Sequence, residues 1–162
     1  PVQNPCRRGY RFGYAVDLMI EVPSGSEQIV VVGDFKLFSP AELFDYFVQP
    51  DLLKYWWPEQ ASTDPRVGGK YRLTWPDMNW ILEGEYTAFE PGKHLGFTWS
   101  WNHEPDILPK QVDIYFSELA DSTRIGIFHG PFEGDSSDRQ GVVEGWIHFG
   151  MRLAGLRRTE EE

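Results

Sequence analysis

Four histidines, one cysteine and a dense set of aromatic rings are the residues through which this chain could do chemistry. His94, His103, His129 and His148 include no i, i+4 pair and no His-x-His, and none has a cysteine neighbour, so no metal site is expected. His103-Glu104-Pro105-Asp106 concentrates possible ligands but reads as a polar loop between strands. Cys6 stands alone, which removes a disulfide framework and a Cys-based metal site, and it has no histidine nearby to activate it. No Gly-x-Ser-x-Gly elbow is present. Arg66-Val67-Gly68-Gly69 leads into a strand, whereas a phosphate cradle needs a helix N-terminus, so it reads as a tight loop with glycine at positive φ. The sequence calls for no cofactor.

His129 carries two readings. Strand alternation puts it on the face of Ile125 and Ile127, where it could orient a ligand or act as general acid or base. The alternative is a core histidine satisfied by a backbone carbonyl or by a Trp or Tyr neighbour. That alternative is favoured, because no carboxylate partner can be named from sequence. The rings also divide two ways, into a large aromatic core or the walls of a cavity. Buried Trp N–H and Tyr O–H groups need partners, which favours a partly wet or ligand-filled space. The candidate ligand-binding set begins on the strands, with Tyr71, Trp75, Trp80, Tyr86, Phe97 and Trp99. Ile127 and His129 join it from a later strand, and Trp146 and Phe149 from the last helix.

These residues need elements to position them. Residues 14–22 and 27–37 are strand-like around the turn Pro23-Ser24-Gly25-Ser26, predicting a hairpin. Ser39-Pro40-Ala41-Glu42 opens a helix with a capping residue, a proline at the first position and an acid three residues after the cap. Pro50 stops that helix, and a shorter one over 51–56 follows. Period-2 alternation then recurs five times, over 70–75, 80–89, 95–101, 112–117 and 123–129, predicting an antiparallel sheet with one buried face. A register irregularity is expected at Glu90-Pro91. Val142, Trp146, Phe149, Leu153 and Leu156 fall on one helical stripe, so a long helix over about 139–157 should lie along that face.

Charge limits the partners. Fifteen Lys and Arg against 25 Asp and Glu leave a net charge of −10, with no basic face for a nucleic acid or an anionic membrane. No apolar run approaches a membrane span, and residues 1–14 lack the apolar stretch of a signal peptide. A cytoplasmic protein is the expectation.

The order β-α-α-β-β-β-β-β-α resembles the α+β helix-grip (START/Bet v 1-like) fold, a curved antiparallel sheet around a long C-terminal helix. Local sequence extends the resemblance. Phe38-Ser39-Pro40-Ala41-Glu42-Leu43-Phe44, Pro50-Asp51-Leu52-Leu53-Lys54-Tyr55-Trp56-Trp57-Pro58 and Asp64-Pro65-Arg66-Val67-Gly68-Gly69 are similar to the opening of the heat-shock-protein-90 ATPase-activator-homologue family. Glu83-Gly84-Glu85-Tyr86, Glu90-Pro91-Gly92-Lys93-His94-Leu95, Ser122-Thr123-Arg124-Ile125 and Gly145-Trp146 continue it, in order, across 28–157. The resemblance implies membership of the wider SRPBCC superfamily, which includes lipid and hormone binders, cyclases and antibiotic-sequestering proteins. It also implies a chaperone link, against which stands the absence of room for the co-chaperone's separate N-terminal domain.

The expected organisation is an N-terminal arm over 1–26, with an extra strand, and one helix-grip domain over 27–158. The expected function is binding of a small hydrophobic or aromatic molecule between sheet and last helix, with no catalytic residue assigned. A chaperone-associated interaction module in a stress response and a cyclase or dehydratase are the alternatives. An unpaired edge strand near the arm would favour a homodimer.

Overall fold

The structure, a computed structural model, describes residues 19–133 and 137–157. The arm over 1–13, with Cys6, and residues 14–18 of the expected hairpin lie outside them. What the described residues contain of that hairpin is β1 (Ile20–Glu21), paired antiparallel with β2 (Ile29–Lys36). The chain continues through α1 (Pro40–Val48) and α2 (Pro50–Leu53) into a six-strand meander: β3 (Gln60–Thr63), β4 (Lys70–Trp75), β5 (Trp80–Glu90), β6 (His94–Trp101), β7 (Lys110–Glu118) and β8 (Ser122–Gly130). The last element is α3 (Ser137–Gly155). One curved antiparallel sheet results, ordered β1-β2-β8-β7-β6-β5-β4-β3, and with α3 it forms an α+β helix grip.

Local chemistry explains the helix starts. The Ser39 side chain accepts from the Glu42 N–H at 3.2 Å, and the Glu42 carboxylate accepts from the Ser39 N–H at 3.3 Å, closing the capping box. Arg157, just beyond α3, reaches the same Glu42 carboxylate at 2.6 Å and ties the end of α3 to the start of α1. The helix expected over 51–56 covers only Pro50–Leu53. There the bonds tighten to i→i+3, from Tyr55 N–H to Leu52 and from Trp56 N–H to Leu53, which swings Trp56 beneath the sheet.

Three further expectations need correction. Gln60-Ala61-Ser62-Thr63 is polar and gives no strand signal, yet it forms β3, an edge strand paired with β4 and tied to α1 by the Thr63 hydroxyl, which donates to the Val48 carbonyl at 2.9 Å. The register shift lies between Tyr86 and Ala88 and not at Glu90-Pro91, and it turns Phe89 inward against Phe44 and Tyr86. On α3 the buried line is Val143, Trp146, Gly150 and Leu153, with Val142 and Phe149 half-buried beside it and Leu156 exposed. The packing face is therefore rotated by about one residue from the expected stripe. Met19 accounts for this contact, since its thioether sits where Cβ atoms on Gly33 of β2 and Gly150 of α3 would otherwise stand.

The core lies between the concave face and the helices, with Ile29, Leu43, Ile114, Ile125, Ile127 and Leu153 fully buried. A smaller apolar cluster of Val22, Val30, Val32 and Phe128 occupies the opposite face of the sheet.

Candidate functional site

The wide end of the grip is built from tryptophan. Trp75 closes β4 and Trp80 opens β5, and hairpin register sets them directly opposite one another. Trp99 and Trp101 lie two residues apart on β6, on the same face. Trp57 follows α2, and Trp146 projects from α3. Trp57 stacks on Trp99 at 5.8 Å and meets Trp146 at 5.4 Å, while Trp101 meets Trp75 at 5.4 Å and Trp80 at 5.9 Å. With Trp56 stacked on Trp57, all seven tryptophans of the chain form one contact network.

Six of these rings line a cavity of about 410 Å³. Its helix wall is formed by Gly141, Val142, Gly145 and Phe149 of α3. Its mouth carries Met78, His103, Glu104 and Asp138, and His103 stacks on Trp80 at 5.4 Å. Trp80, at 40% exposure, is a rim residue. The volume falls in the range of small-molecule pockets, and its lining is mostly aromatic.

The candidate residues divide between this cavity and the core. Trp75, Trp80, Trp99, Trp146 and Phe149 are brought together around the cavity. Tyr71, Tyr86 and Phe97 are not. They pack on each other at 5.3–5.7 Å deeper in the sheet, beside a gap of about 10 Å³ that holds no more than a water. The Tyr71 ring lies over Gly84, and its hydroxyl donates to the Thr98 carbonyl at 2.6 Å. Burial holds both phenols well above their ordinary pKa, helped for Tyr71 by Tyr86 and Glu83 and for Tyr86 by Asp64.

Ile127 and His129 are fully buried and do not line the cavity. His129 Nδ1 accepts from the Trp146 indole N–H at 2.9 Å, which assigns the proton to Nε2. Nε2 has no hydrogen-bond partner and is enclosed by Trp99 at 4.5 Å and Phe132 at 5.3 Å, ring to ring. Burial, with the Lys110 charge adding, pushes this histidine's pKa down to about 3. It is a neutral core group that orients Trp146.

Several lining residues escaped the sequence reading. Trp57 and Trp101 were visible as rings, but only the tertiary fold brings the loop after α2 against β6. Gly141 gave no signal and Gly145 entered only within the Gly145-Trp146 motif, because what both contribute is the space they leave open. Among the described residues, no group of three His, Cys, Asp or Glu could hold a metal ion. No helix among them is long and apolar enough to cross a membrane.

The family model described as Activator of Hsp90 ATPase homolog 1-like protein matches residues 37–157. Among solved structures, protein MLL2253 from Mesorhizobium loti is 25% identical, with a TM-score of 0.71 over 80% of this chain and 95% of that one. The Aha1 of Colwellia psychrerythraea, solved in solution as a dimer, is 16% identical, with a TM-score of 0.70 over 78% of this chain and 92% of that one. DynU16, a protein of the dynemicin biosynthetic locus, is 20% identical, with a TM-score of 0.69 over 82% of this chain and 47% of that one. No curated protein sequence matches the chain.

Proposed function

The chain belongs to the Activator of Hsp90 ATPase homolog 1-like family, and from that premise we propose that it binds a small apolar, ring-bearing molecule in the tryptophan-lined cavity. The observation that carries this reading is the convergence of all seven tryptophans on one network, six of them around an open volume of about 410 Å³. Rings serving only as core would fill that volume, because protein interiors close-pack. Binding is preferred over turnover because the core histidine is engaged by Trp146 and is not among the lining residues.

Gly145→Leu tests the reading. A Cβ at Gly145 meets nothing within 4 Å, so the added side chain grows into the cavity without displacing core atoms. Removing a helical glycine also favours the helix by about 1 kcal/mol. The expected outcome is loss of the intrinsic-fluorescence response to apolar aromatic compounds, at unchanged or raised thermal stability. An equal response in wild type and variant, or none in wild type, sinks the proposal.

The family supports a second reading, a chaperone-associated interaction. Stimulation of an Hsp90 ATPase that survives Gly145→Leu would favour it. A homodimer belongs with that reading, drawing on the dimeric relative, and sedimentation showing only monomer at high concentration removes it.

A further inference from the structure

The cavity's electrostatics narrow the ligand further. Its ionisable lining consists of Glu104, Asp138 and His103, with no lysine or arginine. Among the described residues neither carboxylate is paired: neither side chain takes part in a salt bridge or a hydrogen bond. The nearby cations are held elsewhere. Arg139 pairs with Glu21 at 2.9 Å and donates to the Gln28 carbonyl, and Lys110 donates to the Pro131 carbonyl at 2.9 Å while lying over the Phe132 ring. Arg152 lies 5.8 Å from the Phe149 ring and is not part of the lining.

Indole faces carry negative quadrupole density, and a cation within about 6 Å of a ring centroid is attracted to it, tryptophan most strongly. Six indoles line this cavity, and Glu104 and Asp138 are the carboxylates among its lining residues. From this juxtaposition of an indole cage with unpaired carboxylates, we propose that the preferred ligands are organic cations, ring-bearing compounds with a quaternary or tertiary ammonium group. This deepens the apolar-binding reading and rests on it. An anionic ligand would meet the two carboxylates unfavourably, in a protein whose net charge is already −10.

The test compares two compounds of one shape, benzyltrimethylammonium and its neutral isostere neopentylbenzene, with benzylsulfonate as the anionic control. Titration of the intact protein is followed by tryptophan emission and calorimetry. The cation should bind roughly tenfold more tightly than the isostere and the anion least, because a partly desolvated cation–π contact supplies that ratio. Glu104→Gln with Asp138→Asn should narrow the cation-to-neutral ratio, and added salt should narrow it in the wild type. Equal affinity of cation and isostere, or tighter binding of the neutral or anionic compound, overturns the charge preference and leaves the apolar reading standing. A cation response that persists in Gly145→Leu also overturns it, since the contact then lies outside the cavity. If none of the three compounds binds, both readings fall together.

Discussion

Protonating His129 would place a charge among Trp99, Phe132 and Trp146, and the indole N–H already at Nδ1 is a donor that cannot receive a proton. The native pKa of about 3 lies below the ordinary 6.5, so the unfolded chain takes up the proton first as pH falls. The stability tied to a neutral His129 is fully present above about pH 6.5 and is lost progressively towards pH 3, on the order of 5 kcal/mol in total. His129→Phe should be destabilised at pH 7 by about 1–3 kcal/mol, because it strands the Trp146 N–H. By pH 4.5 the gap to wild type should close or reverse. Denaturant melts at the two pH values measure this, and a gap independent of pH would falsify the assignment. Trp146→Ala removes the ring as well as the bond, and should cost about 3–5 kcal/mol. Sequence alternation placed His129 facing the last helix, and one of its two readings was bonding to a Trp neighbour. Trp146 lies on the expected stripe and on the observed buried line of α3 alike, whereas its bond to Nδ1 depends on how the two rings are turned, which alternation does not encode.

Elements were legible where one face is buried and the other wet. β4 and β7 alternate cleanly, β8 is buried on both faces apart from Arg124, and the capping box at Ser39 forms as its spacing requires. Ser39→Ala should cost about 1 kcal/mol in chemical denaturation, and an unchanged midpoint would remove the box as a stabilising device. β3 was illegible because its inner face carries only Ala61 and Thr63, half-buried, opposite exposed Gln60 and Ser62, which leaves too little apolar contrast to read. The bulge at Tyr86 and Ala88 was illegible because it depends on cross-strand partners. Glu85 N–H donates to the Thr98 hydroxyl there, and Tyr86 N–H donates to the Gly69 carbonyl. Gly84 stands beside this bend, and a Cβ on it would overlap the Thr98 carbonyl oxygen and the Tyr71 ring. Because backbone on β6 has to move to accept it, Gly84→Ala should cost at least about 1–3 kcal/mol. Amide hydrogen exchange should show the loss concentrated in β4, β5 and β6. Exchange rising evenly over the whole sheet would mean that the bend is not a local constraint.

At the scale of the molecule, a ligand held between sheet and helix stabilises only the folded state. At a hundred times its dissociation constant it should add about 2.7 kcal/mol, or roughly 5–10 °C in melting temperature for a chain of this length. Scanning calorimetry with a saturating aromatic compound tests this, and a melting temperature indifferent to every compound that alters emission would mean that those compounds bind the surface. Composition flagged the excess of rings but could not divide them, since Tyr71 and Trp75 share a strand face and one lies in core while the other lines open space. The seven indoles, joined ring to ring at 5–6 Å, also have an optical consequence. At such separations electronic transitions couple and excitation hops between rings before it is emitted, so the chromophores behave as one array. Near-ultraviolet circular dichroism should therefore be dominated by coupled pairs, and deleting one tryptophan should change the spectrum by much more than a seventh. The protein's colour in that band belongs to the arrangement of its indoles and to no single one of them.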